Sequence, residues 1–127
     1  MIKGVSHVAI NTSDINRSVQ FYHEMLGFAI DEDLMLPNGV RIVHMEIAPG
    51  STLELFGRPQ RVEPPPQGQF TGIMHVALSV DSVDHLYEEL QAKGVEFTGP
   101  PRAGSGRSRR LVFLKDPDGT LLELIER

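Results

Sequence analysis

The sequence predicts an α+β fold built from two tandem βαβββ modules. Three observations lead there. First, the chain repeats itself: Gly4-Val5-Ser6-His7-Val8-Ala9-Ile10 reads like Gly72-Ile73-Met74-His75-Val76-Ala77-Leu78, 68 residues further on. Second, each stretch runs into a helical pattern that stops at a glycine, Gly27 and Gly94, 67 residues apart. Third, each half closes alike: Pro49-Gly50-Ser51-Thr52-Leu53-Glu54-Leu55 matches Asp118-Gly119-Thr120-Leu121-Leu122-Glu123-Leu124 at an offset of 69. Offsets of 67, 68 and 69 along the whole chain, each within one residue of their mean, mark an internal duplication.

The elements follow in order. Residues 5–10 form a short β-rich run. Ile15, Val19, Tyr22 and Leu26 fall at helical spacing, so a helix is expected over 14–26, with Asp14 or Ser13 as N-cap and Gly27 as the stop. Strands are expected at 28–34 and 40–48 around the Pro37-Asn38-Gly39 turn, then at 52–56 after Pro49-Gly50. In the second half, Val83, Leu86, Tyr87 and Leu90 set an amphipathic helix over 82–93. Strands are expected at 95–98, 110–114 and 120–125, the last after Asp116-Pro117-Asp118-Gly119. The expected boundaries are 1–60 for the first module, 61–71 for a linker stiffened by Pro64, Pro65 and Pro66, and 72–127 for the second module. Residues 99–109 read as irregular, and Arg102, Arg107, Arg109 and Arg110 make a basic stretch in or beside them. That stretch is either an anion clamp at a pocket mouth or a solvated loop.

Composition narrows the function. The chain has 127 residues, 12 Lys and Arg against 17 Asp and Glu, and a net charge of −5. This acidity argues against sequence-independent nucleic-acid binding. The absence of cysteine removes disulfides, thiolate metal sites and a Cys nucleophile. No apolar run approaches ~18 residues and no signal-like start is visible, so neither a membrane span nor export is expected, and the expected location is the cytoplasm.

The candidate chemistry lies in the duplicated residues. Side chains alternate faces along a strand. Val8, Ile10, Val76, Leu78 and the leucines beside Glu54 and Glu123 suit a helix-covered face, which puts His7, Glu54, His75 and Glu123 on the opposite one. Each module then supplies one His and one Glu. A pseudo-two-fold relation would bring two imidazoles and two carboxylates together, a donor set suited to a divalent first-row metal, with Ni, Co, Zn, Mn and Fe all admissible. His23 and His85 fall on helices and are expected at the surface; His44, in mid-strand, is a candidate pocket residue.

The chain resembles the vicinal oxygen chelate superfamily, which includes glyoxalase, methylmalonyl-CoA epimerase, extradiol dioxygenases, and fosfomycin and bleomycin resistance proteins. The resemblance rests on His7-Val8-Ala9-Ile10, on Ser18-Val19-Gln20-Phe21-Tyr22 with Leu26-Gly27-Phe28, on His75-Val76-Ala77-Leu78-Ser79-Val80-Asp81, and on the run from Phe113 through Asp116-Pro117-Asp118-Gly119 to Leu124. It implies curved mixed sheets enclosing a metal site, with His7, Glu54, His75 and Glu123 as ligands, a small-molecule substrate and a homodimer. The His, Glu, His, Glu set is similar to that of glyoxalases, whereas epimerases commonly carry Gln at the position of Glu54. The implied activity is a metal-dependent isomerase or lyase that moves a proton through a metal-stabilised enediolate on a small carbonyl or thioester substrate. Glu123 is the implied base, and Glu54 a ligand and possible second base. Leu55-Phe56-Gly57-Arg58 departs from the Thr-Tyr-Asn-Trp-like run of glutathione-using members, which argues against a glutathione adduct. The alternatives are an Fe(II)-dependent ring-cleaving dioxygenase and a non-catalytic binding or resistance protein.

Overall fold

A computed structural model describes all 127 residues. They form two compact units, Met1–Glu63 and Pro64–Arg127.

The first unit runs β1 (His7–Thr12), α1 (Ile15–Val19), a π-helical continuation (Gln20–Met25), β2 (Ala29–Met35), β3 (Arg41–Ala48) and β4 (Ser51–Gly57). Its sheet has the order β1-β4-β3-β2, with β1 parallel to β4 and the remaining pairs antiparallel. The register places Val43 opposite Leu55 and Met45 opposite Leu53. These four side chains are buried on the helix-facing side, with Ile10, Phe21, Tyr22 and Phe28. Each such burial contributes about 1.5–3 kcal/mol.

The second unit runs β5 (Val76–Ser79), α2 (Val83–Ala92), β6 (Arg102–Ala103), β7 (Arg110–Lys115) and β8 (Leu121–Glu126), with sheet order β5-β8-β7-β6. β5 lies parallel to β8. Its core is Val83, Leu90, Val95, Val112, Leu114, Leu122 and Leu124. The α+β, two-module architecture expected from the repeat is therefore present, with two four-stranded mixed sheets.

The helices start as their sequences dictate. Asp14 caps α1 by accepting from the Arg17 N–H at 3.2 Å, and Ser82 caps α2 by accepting from the His85 N–H at 3.2 Å. α2 ends where the N–H of Gly94, at φ 85°, donates to the Gln91 carbonyl and the N–H of Val95 donates to the Leu90 carbonyl. This paired closure needs a residue that tolerates positive φ.

Two elements differ from expectation. The helix expected over 14–26 changes from α to π after Val19. The wider turn lets two consecutive aromatics, Phe21 and Tyr22, both reach the core, where Tyr22 lies edge-on to Phe21 and stacked on Phe28. The strand expected at 95–98 shrinks to a single bridge between Phe97 and Leu114. Pro100 and Pro101 lack the N–H groups needed to extend it. The fourth strand is instead Arg102–Ala103, inside the stretch that reads as irregular.

The duplication extends to packing. Arg41, at the start of β3, reaches Asn16 in α1 at 2.6 Å and Asp33 at 2.7 and 2.9 Å. Arg110, at the start of β7, reaches Asp84 in α2 at 2.7 and 2.9 Å. Both arginines thus tie a strand to the first turn of a helix. Where β4 ends, however, the units diverge. A Cβ on Gly57 would lie 2.9 Å from Ile15, so α1 packs directly on the strand backbone there. The matching Glu126 uses its carboxylate to accept from the Val83 N–H at 2.9 Å.

Candidate functional site

In the first unit, β1 pairs Ala9 with Glu54 and β3 pairs His44 with Glu54. Paired residues share a sheet face, and this is the face opposite Leu53 and Leu55. His7 reaches the same face from β1, and its Nε2 contacts Glu54 Oε2. Its Nδ1 lies 3.1 Å from Ser6 Oγ, while the Ser6 carbonyl accepts from the Thr52 hydroxyl at 3.0 Å. Those bonds fix the entry into β1 and the orientation of the ring. His44 Nε2 stands 3.4 Å from the other carboxylate oxygen, Glu54 Oε1, and 3.9 Å from Glu32 Oε1.

One residue from each strand therefore forms a row in sheet order: His7 on β1, Glu54 on β4, His44 on β3 and Glu32 on β2. Imidazoles and carboxylates alternate along it. Sequence reasoning left His44 as a candidate pocket residue and missed Glu32. The signal for both is strand alternation carried across the two hairpins, since His44 pairs with Glu32 as well as with Glu54.

In the second unit, Ala77 and Phe113 flank Glu123 in the register. His75 precedes β5, and its Nε2 lies 3.9 Å from Glu123 Oε1, beyond hydrogen-bond reach. The ring is held by packing instead, edge-on to Phe113 with centroids 5.1 Å apart. Its Nδ1 is buried without a hydrogen-bond partner.

Glu54 and Glu123 are 9 % and 8 % exposed, and no lysine or arginine pairs with either. A buried carboxylate without a cationic neighbour is costly, and two at repeat-related positions call for a compensating positive charge. Two imidazole nitrogens and two carboxylates fit a divalent cation chemically. Each unit brings together one of the expected ligand pairs, His7 with Glu54 and His75 with Glu123. No group of three or more such side chains is arranged to hold a metal ion in the single chain.

Other candidates resolve differently. His23 and His85 are exposed, as expected. His23 Nδ1 lies 2.7 Å from the Phe28 carbonyl beyond its helix. Arg110, part of the basic stretch, donates from one edge of its guanidinium, Nε and Nη2, to both oxygens of Asp84. That bond holds the Asp84 carboxyl below the usual carboxylate range and raises the arginine. Arg102, Arg107 and Arg109 are exposed. At the far end of the first sheet, Arg58 donates to Asn11 Oδ1 at 2.8 Å and its guanidinium lies over the Phe56 ring.

Comparison with known proteins agrees with this architecture. The family model for the Glyoxalase/Bleomycin resistance protein/Dioxygenase superfamily matches residues 4–124. The uncharacterized protein YwkD of Bacillus subtilis is 34% identical over 128 residues, spanning 100% of this chain and 99% of that protein. The mitochondrial methylmalonyl-CoA epimerase of Dictyostelium discoideum is 30% identical, across 97% of this chain and 78% of its own. A lactoylglutathione lyase of Arabidopsis thaliana is 28% identical over 95% of this chain, which spans only 43% of that enzyme. Among solved structures, a glyoxalase family protein from Enterococcus faecalis superposes with a TM-score of 0.85 at 30% identity, covering 98% of each chain.

Proposed function

Because the chain belongs to the Glyoxalase/Bleomycin resistance protein/Dioxygenase superfamily, we propose that it is a divalent-metal-dependent isomerase or lyase acting on a small carbonyl or thioester substrate. The observation that carries this reading is the pair of buried carboxylates, Glu54 and Glu123, each facing an imidazole on repeat-related strands. His7, Glu54, His75 and Glu123 are the proposed ligands of that cation, and a homodimer is the proposed assembly. When bound, the cation supplies positive charge that eases loss of a proton from carbon next to a carbonyl.

The chain's own residues divide the rest of the work. His7 and His75 act as neutral donors through Nε2. Glu54, contacted on both oxygens, serves to hold. Glu123, whose nearest imidazole stands at 3.9 Å, is free to take a proton on a carboxylate oxygen and return it one atom along the substrate. The burial of both carboxylates excludes water that would otherwise compete for that proton. Relatives named as a lactoylglutathione lyase and a methylmalonyl-CoA epimerase support proton transfer beside a carbonyl or thioester. The run Leu55-Phe56-Gly57-Arg58 directs the search away from glutathione adducts. The cytoplasm is the proposed location.

The test is elemental analysis of metal-replete protein, followed by a screen of hemithioacetals, acyl-CoA thioesters and catechols. Turnover of one of the first two classes with solvent-deuterium incorporation is expected. Oxygen uptake with catechols, or a metal-free protein that tightly binds an aromatic ligand, would replace this reading with one of its alternatives.

A further inference from the structure

We propose that His44 is a positioning residue that fixes Glu54 as the holding carboxylate and so assigns different roles to the two glutamates. The inference rests on the metal-dependent reading above and extends it to a residue outside the four-donor set.

Glu54 is engaged on both sides. Oε2 meets His7 Nε2, and Oε1 faces His44 Nε2 at 3.4 Å. The same His44 Nε2 lies 3.9 Å from Glu32 Oε1, beyond hydrogen-bond reach, so its nearer carboxylate is Glu54. The two strands that flank β4 thus restrain its carboxylate: β1 through His7 and β3 through His44. Rotation of the Glu54 carboxylate would break a contact on at least one side. A group that orients a ligand from behind in this way lowers the ordering cost of binding.

The second unit lacks the device. The register position of His44 is held by Phe113, directly across from Glu123. A phenyl ring offers no donor to a carboxylate oxygen, so Glu123 has only the distant His75 beside it. The duplicated sheets therefore present one clasped carboxylate and one unclasped carboxylate. The unclasped one has the freedom that proton pick-up and return require.

The experiment uses the full chain stripped of metal and titrated with Co2+, followed by calorimetry and by the visible spectrum of the bound ion. His44→Phe copies the second unit and should weaken Co2+ binding about 10–100-fold. His44→Gln keeps a nitrogen donor near the position of Nε2 and should recover most of the loss with a spectrum like that of the parent. If His44→Phe does not fold by circular dichroism, His44→Ala replaces it, since the His44 side chain is 33% exposed and truncation leaves no sealed cavity. Parent-like affinity and spectrum in the Phe or Ala variant overturn the inference. A Gln variant as weak as the Phe variant also overturns it, because the loss would then not follow the donor. A parent chain that binds no Co2+ overturns the metal reading itself and this inference with it. Tight binding by the parent beside an unchanged His44 variant overturns this inference alone.

Discussion

The two sheets carry the same strand order and the same buried glutamate, yet they surround that glutamate differently. In the first, Glu54 sits within a row of ionisable groups spanning all four strands. In the second, Glu123 sits between Ala77 and Phe113, with His75 3.9 Å away and packed on the phenyl ring. Duplication has preserved the strand order and the helix-facing layer while letting the opposite layer diverge. A repeat constrains what the core must bury. It does not constrain what the opposite face must do, and there one position, His44 in the first unit and Phe113 in the second, suffices to turn a restrained carboxylate into a free one.

The sharpest way to break this comparison is to exchange the carboxylates' chemistry. Glu123→Gln should lower turnover of the substrate found in the screen by about 10²–10⁴-fold, the usual worth of a general base, while the metal content stays near that of the parent. Glu54→Gln should instead lower the metal content first. Proton exchange followed by NMR, together with elemental analysis, separates the two. Equal behaviour of the two variants in both measurements would erase the division of roles.

Core truncation tests whether the halves stand as separate units. Leu55→Ala and Leu124→Ala each remove a buried side chain, at an expected cost of about 2–5 kcal/mol. Hydrogen exchange should show the loss confined to 1–63 for the first and to 64–127 for the second. Protection lost throughout by either variant would contradict the partition.

The strand ends offer a smaller contrast. Gly57→Ala pushes a methyl against Ile15 and should cost about 1–3 kcal/mol. Glu126→Ala, at the equivalent place, removes one acceptor from the start of α2 and should cost about 0.5–1.5 kcal/mol. Denaturant titration ranks them.

The smallest effect concerns the strand-to-helix arginines. The hydrogen bond from Arg110 lowers the pKa of Asp84, so its contribution to stability is present above the ordinary aspartate value and fades as pH falls through the depressed one. Asp33 behaves likewise beside Arg41. Asp84→Asn should therefore lower the melting temperature slightly near neutrality and converge on the parent at low pH, flattening the acid limb, and the effect is small because the pair is solvent-exposed. An unchanged acid limb would show that the pair contributes nothing.

Much of this architecture is legible in the residues. The paired His and Glu positions, the stopping glycines and the two turns fix the modules, because each signal occurs twice and each copy checks the other. Legibility fails where only one copy carries the feature. His44 has no histidine counterpart, so nothing in the repeat singles it out; only the hairpin register places it against Glu54. The π turn is invisible to a 3.6-residue period, and two adjacent aromatics were its only trace. The short strand at Arg102–Ala103 hides among prolines and arginines with no apolar alternation. The pairing of Arg110 with Asp84 spans 26 residues and depends on packing that no local pattern encodes.

The parallel seam between β1 and β4 has a kinetic consequence. The chain must make β2, β3 and β4 before β1 has an edge to join, and that edge lies about 45 residues downstream of His7. The meander can zip from its local hairpins, whereas the seam waits for a long loop to close. His7 and Glu54 are then among the last residues of their unit to meet, and a nascent chain carries its imidazole unpaired until nearly the whole module has been synthesised.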